Sequence, residues 1–124
     1  MNINNNTTVL IVDDDKDISL IFSEFFQYEG YKVNTAHSGT EAFYLLNKNS
    51  IDLIVTDINM PEMNGIDFIH KVREINPYIP VIVVTGSYDL SVNKRLENMN
   101  IFEFLNKPVH MDALLNVVKN ASKS

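Results

Sequence analysis

The chain has 124 residues, of which 45% are hydrophobic, enough for one ordinary domain with a buried core. A formal charge of -6 argues against direct grip on DNA, RNA or an anionic membrane, which all reward clustered Lys and Arg. The absence of cysteine removes disulfides and thiolate metal sites. The polar start "MNINNNTT" has no signal-peptide character, so the expectation is a cytoplasmic protein without membrane insertion, touching nucleic acid only through a partner.

Five short apolar runs alternate with longer segments of helical period, the pattern of an α/β protein with a mainly parallel sheet. The first run, "TVLIV" (Thr8 to Val12), is nearly all apolar, as expected of a central strand covered on both faces. Ile18, Ile21, Phe22, Phe25 and Phe26 then repeat at helical spacing, and Gly30 stands where a C-cap glycine belongs. The second run, "KVNTA" (Lys32 to Ala36), alternates and belongs nearer an edge. A second helix starts at Ser38-Gly39 and turns Ala42, Phe43, Leu45 and Leu46 inward.

"DLIVT" (Asp52 to Thr56) is again a central strand. A helix with Ile66, Ile69, Val72 and Ile75 inward starts near Asn64-Gly65 and stops before Pro77. "VIVVT" (Val81 to Thr85) is the third central strand. The helix expected over Leu90 to Met99 is weak, because Asn93, Asn98 and Asn100 are poor helix formers. "FEFL" (Phe102 to Leu105) alternates like an edge strand, and a last helix over His110 to Asn120 buries Met111, Leu114, Leu115, Val117 and Val118. The expected organisation is a single domain over 1–124, with a flexible tail at 1–7 and a polar tail at 121–124.

The polar residues then fall on one edge. Asp13 and Asp14 follow the first strand, Asp57 the third, Thr85 ends the fourth and Lys107 follows the fifth. In an open parallel sheet the carboxyl edge is where ligands bind. Aspartates between strand and helix also serve as N-caps; Asp15 or Asp17 has that job, and for Asp13 both readings stay open. Capping explains Asp57 badly, since its helix starts several residues later.

Two carboxylates about 5 Å apart repel by roughly 3 kcal/mol at an effective dielectric of 20, so three in one crevice call for a hard divalent cation. Mg2+ (or Mn2+) takes one or two carboxylates and completes its shell with water and a phosphate oxygen. With Lys107 and the Thr85 hydroxyl opposite, the crevice suits a phosphoryl group. Asp57 is the candidate acceptor, because a carboxylate needs no base to act as a nucleophile. Gly86 leaves room beside Thr85. His37, His70 and His110 read as surface or capping residues.

The acid pair, "DINMPEMNG", "VVTG" and "FLNKP", each after its strand, resemble the response regulator receiver domain of two-component signalling from about Thr8 to Asn120. The resemblance implies a flavodoxin-like doubly wound five-stranded sheet of order 2-1-3-4-5. It further implies that Asp57 accepts a phosphoryl group from a sensor histidine kinase or histidine phosphotransfer protein. Magnesium would be held by the side chains of Asp14 and Asp57, by the backbone carbonyl of Asn59, and by Asp13 directly or through water. Lys107 and Thr85 would bind phosphoryl oxygens, the Lys107-Pro108 peptide would be cis, and Thr85 with Phe104 would form a switch. That switch biases the surface of the fourth helix, fifth strand and fifth helix toward an unknown output partner. Asn59 and Ser87 flank the site as modulators of hydrolysis.

One departure from the family pattern lies where receivers commonly carry Gly-Ala; here Asn100-Ile101 stand, and asparagine tolerates left-handed backbone. The leading expectation is a signalling switch whose only chemistry is its own phosphorylation and dephosphorylation. Its rivals are a haloacid dehalogenase-type phosphatase, disfavoured by Asn59 where a second acid belongs, a flavin carrier, and a receiver used only for protein contacts.

Overall fold

The computed structural model describes residues 6–60, 63–86 and 90–123. Strands β1 (Thr8–Val12), β2 (Lys32–Ala36), β3 (Leu53–Thr56), β4 (Val81–Thr85) and β5 (Glu103–Asn106) form one parallel sheet in the order β2-β1-β3-β4-β5. They alternate with α1 (Lys16–Tyr28), α2 (Gly39–Lys48), α3 (Gly65–Ile75), α4 (Leu90–Arg95) and α5 (Met111–Ser122). This is the expected flavodoxin-like architecture, with the alternating strands β2 and β5 at the edges. Of the anticipated amino-terminal tail, residues 1–5 lie outside the described residues.

Strand alternation divides the interior into two layers. Leu10, Val12, Ile54, Val81 and Val83 face the α2, α3 and α4 side, where they meet Ala42, Phe68, Ile69, Val72 and Leu96. Val9, Ile11, Leu53, Val55, Ile82 and Val84 face α1 and α5, meeting Phe22, Phe26, Leu114 and Val118.

Several helix readings need correction. Ile21 was expected inside but is 56% exposed, and Ile75 is 50% exposed. In α1 the buried stripe runs through Ser19, Phe22 and Phe26. At about 100° per residue Ile21 falls far from its centre. In α3 the stripe is Ile66, Phe68, Ile69 and Val72, and Asn76 already serves as C-cap behind Ile75. At the other end of the chain, α5 continues through Ser122 and buries Ala121, so the helix takes two residues assigned to a polar tail. Asp15 caps α1 as anticipated, accepting from the amides of Asp17 and Ile18.

Helix α4 is shorter than expected, ending at Arg95 and passing into turns. Asn98 (φ 69°) and Asn100 (φ 57°) adopt the left-handed region, which stops a helix and costs an ordinary residue roughly 1–2 kcal/mol, less for asparagine. Asn100 thus takes the turn usually given to glycine, and Ile101 packs, half-buried, against the α2–α3–α4 layer.

Arg73 secures this turn. Its Nε donates to Met99 O at 2.6 Å and its Nη2 to Asn100 O at 3.0 Å, while Nη1 donates to Asn76 O at 3.1 Å and Ile79 O at 2.8 Å. Burial lowers the guanidinium pKa, and carbonyl dipoles of two loops stand in for the water it loses. Arg73→Ala is expected to cost about 2–4 kcal/mol in urea unfolding, since charged hydrogen bonds are lost and half-buried carbonyls are left unpaired. Arg73→Lys should recover only part, because an ammonium lacks the planar fork that spans both loops.

Candidate functional site at the carboxyl edge of the sheet

The strands deliver their polar ends to one rim. Beyond β1 the Asp13 amide donates to Ala36 O at 3.1 Å, and beyond β3 the Asp57 amide donates to Val12 O at 2.9 Å, so sheet bonding carries both acids past the strand ends. Both are buried, whereas Asp14 is exposed. Carboxylate oxygens of Asp13, Asp14 and Asp57 lie within 4.8 Å of one another.

Lys107 bridges two of them, its Nζ standing 2.7 Å from Asp13 Oδ2 and 2.9 Å from Asp57 Oδ2. It follows β5 and is tied to β4 by its amide, which donates to Thr85 O at 3.0 Å; its peptide bond to Pro108 is cis, as expected.

The second oxygen of each buried acid is held by backbone. Asp13 Oδ1 accepts from the Asp15 amide at 2.9 Å; Asp57 Oδ1 accepts from the Ile58 amide at 2.6 Å and the Asn59 amide at 3.3 Å. Asp13 is therefore not the cap of α1, which is Asp15: one Asp13 oxygen orders the turn before the helix and the other meets the lysine. Ser19, which sequence inspection passed over, is buried and donates its hydroxyl to Asp13 O at 3.1 Å. Its signal was position, because it shares the face of Phe22 and Phe26 at three and seven residues.

Thr85 is fully buried at the end of β4, directly beside Asn106 of β5. Gly86 is exposed, and a Cβ there would stand 3.9 Å from Lys107 Cβ, so its surroundings are open. Asn59 is exposed in the loop after β3. Phe104 is half-buried in β5 against the α2–α3–α4 layer. Ser87 lies outside the described residues.

Burial is the largest influence on the Asp13 carboxyl and raises its pKa; the Lys107 hydrogen bond, the Asp15 amide and the Lys107 charge oppose it, and the Asp57 charge adds to it. For Lys107 burial works to lower the pKa, but hydrogen bonds and charges from Asp13 and Asp57 together raise it. Both values are raised, so both contributions weaken as pH rises, Asp13 in a lower range than Lys107. The stabilising share of Lys107 is present below the ordinary lysine range and lost as pH rises through its raised value. Asp13 favours the fold most when protonated, and that advantage disappears as pH rises through its own raised value.

Hard carboxylate oxygens this close suit a divalent cation such as Mg2+, and no softer donor stands among them. A parallel sheet of this order, with three acids and a lysine shared by two of them on its carboxyl rim, defines a flavodoxin-like domain with an acidic carboxyl edge. The model of the response regulator receiver domain matches residues 9–119, and the chain belongs to that family. It is 34% identical over 113 residues to the transcriptional regulatory protein GlrR of Escherichia coli, covering 91% of this chain and 26% of that protein. It is 49% identical over 80 residues to the response regulator SaeR of Staphylococcus aureus, covering 64% of this chain and 35% of that one. A solved receiver domain protein from Clostridium thermocellum superposes with a TM-score of 0.87 at 32% identity, over 94% of each chain. The chain thus spans about a quarter to a third of the length of these curated relatives.

Receiver domains are signalling domains that histidine kinases phosphorylate and that bind Mg2+ at an acidic pocket; a phosphorylation switch is their general function. Among the described residues no helix is long and apolar enough to cross a membrane.

Proposed function

We propose that Asp57 accepts a phosphoryl group from the phosphohistidine of a sensor histidine kinase or histidine phosphotransfer protein, in a reaction that requires Mg2+ or Mn2+. The observation that carries this reading is the pairing of Lys107 with two carboxylates on a rim they share with Asp14. Asp13, Asp14 and Asp57, with the Asn59 carbonyl, would hold the cation. Bound there, it offsets the negative charge that acids and phosphoryl oxygens bring together.

Backbone amides fix Asp57 Oδ1, leaving Oδ2, which faces Lys107 Nζ, as the attacking oxygen. As Oδ2 bonds to phosphorus, the phosphorus–nitrogen bond of the donor breaks and the imidazole leaves with its electron pair. Lys107 follows the charge, passing from the carboxylates to the phosphoryl oxygens. The Thr85 hydroxyl donates to one of these oxygens, and half-buried Phe104 turns into the space that Thr85 vacates. This biases the α4–β5–α5 surface toward an output partner, by as much as the phosphoryl group differs in its interaction with the two states. Gly86 and Asn59, which follow Thr85 and Asp57, influence hydrolysis, as does Ser87, the residue after Gly86. The catalytic scope is limited to the domain's own phosphorylation and dephosphorylation, within a single domain over 1–124.

Incubation with acetyl phosphate and Mg2+ should add one phosphoryl group, labile to hydroxylamine. Intact mass reads it directly, since the chain has no tryptophan to report by fluorescence. No mass gain under these conditions would sink the reading. Magnesium affinity is expected to weaken as pH falls from neutral into the acid range, because the raised Asp13 carboxyl takes a proton early and a protonated carboxyl is no ligand. Calorimetric titration with MgCl2 across that range checks it; a flat profile would remove Asp13 from the ligand set.

A further inference from the structure

Gly39 and Gly65 are the first residues of α2 and α3; Gly65 stands against the backbone of Asp57 and Ile58, and Gly39 against Met63 in the loop that follows. The amide of buried Gly65 donates to Ile58 O at 2.7 Å. A Cβ on Gly65 would collide with the carbonyl oxygen of Asp57 itself and lie 2.6 Å from Ile58 Cα. Both atoms are backbone, so relief means moving the peptide that joins residues 57 and 58.

That peptide has little freedom to move. Thr56 Oγ1 donates to Asp57 O at 2.8 Å, the Asp57 amide is bonded to Val12, and the Ile58 amide donates to Asp57 Oδ1 at 2.6 Å. On Gly39 a Cβ would stand 2.5 Å from Met63 O and 3.0 Å from the Cβ and Cγ of Met63. Two helix starts therefore abut the connection between β3 and α3 without the space for a methyl group. Left-handed backbone is not the reason, since among the described residues Gly30 is the glycine with positive φ. Helix propensity would favour alanine at either position.

We propose that Gly39 and Gly65 are positioning residues for phosphoryl acceptance, Gly65 by direct backbone contact with the Asp57–Ile58 peptide and Gly39 one step removed, through Met63 in the loop that leads from that peptide to α3, each by a contact that any side chain would displace. The inference rests on Asp57 as acceptor. Displacing a reacting group by about 1 Å can cost on the order of 100-fold in rate.

The test compares Gly65→Ala, Gly39→Ala and Gly30→Ala with the unaltered protein. Gly30→Ala strains the left-handed turn after α1, away from the site, and reports loss of stability alone. In the presence of Mg2+ and saturating acetyl phosphate, Gly65→Ala should slow uptake about 10- to 100-fold and Gly39→Ala about 3- to 10-fold, with the half-saturating donor concentration little changed. Gly30→Ala should accept at the unaltered rate. In metal-free protein the Ile58 amide proton, held low-field by its short bond to Asp57, should move upfield in Gly65→Ala and stay in place in Gly30→Ala.

Folded Gly65→Ala with unaltered rate, an unmoved Ile58 resonance, or an equal slowing by Gly30→Ala would each overturn the proposal. Should Gly65→Ala fail to fold, Gly39→Ala decides on the same two readings. Should the unaltered protein accept no phosphoryl group, the acceptor reading fails, and the Ile58 resonance still decides whether the glycines hold that carboxylate.

Discussion

Asp57→Asn is expected to abolish phosphoryl uptake from acetyl phosphate while leaving the fold intact. The replacement is nearly isosteric, so the buried position between Thr56 and Ile58 keeps its volume. Its carbonyl oxygen can still accept from the Ile58 and Asn59 amides, as Asp57 Oδ1 does. What disappears is the anionic oxygen on the lysine side, and a neutral carboxamide is too weak a nucleophile to attack phosphorus. Lys107 keeps Asp13 as a partner, so unfolding should shift by no more than about 1 kcal/mol. Intact mass after incubation checks the first claim and urea unfolding the second. Phosphoryl label on the variant would place the acceptor on another residue.

Lys107→Ala should affect both chemistry and stability. Phosphoryl uptake should fall about 100- to 1,000-fold, the usual effect of removing one donor from oxygens that gather charge. Stability should fall as well, because the acids remain. Two carboxylates with oxygens within 4.8 Å would face each other without an ammonium between them. At an effective dielectric of 20 such a pair repels by about 3 kcal/mol; since the lysine side chain keeps 22% of its exposure, solvent screening reduces the expected loss to about 1–2 kcal/mol.

The pH dependence follows from the sign at Asp13. Its carboxyl is already raised, and losing the lysine that opposes the rise lifts it further. The penalty is therefore present at neutral pH and shrinks as the solution is acidified through that value. Magnesium should restore stability in the same way, by neutralisation. Urea titrations at neutral and acid pH, with and without MgCl2, separate these effects. A loss of stability equal at both pH values would mean that Lys107 acts through packing of its aliphatic stem.

The sheet and the rim were legible because each rests on local pattern: apolar runs the length of a strand, and polar residues immediately after them. Asp13, Asp57, Thr85 and Lys107 needed only the rule that parallel strands end together. Strand order came from family resemblance, as periodicity carries no order.

Other features depend on partners distant in sequence. A helical repeat shows that a buried stripe exists without fixing its centre, so Ile21 and Ile75 were misplaced while Ser19 and Phe68 were passed over. Arg73 went unremarked in the sequence, because the carbonyls of Met99 and Asn100 that it meets lie 26 and 27 residues on. Gly39 and Gly65 looked like ordinary helix starts because nothing local records what lies against a missing Cβ.

The sheet also acts as a partition. Neighbouring side chains on each strand answer to different helices, so a swap at Leu10 or Ile54 is felt by α2 and α3, whereas one at Val9 or Leu53 is felt by α1 and α5. Each half can drift in composition without a matching change in the other, and compensating substitutions should arise as pairs within one compartment. Such insulation would let one flank diversify for new associates while the acidic rim keeps its arrangement.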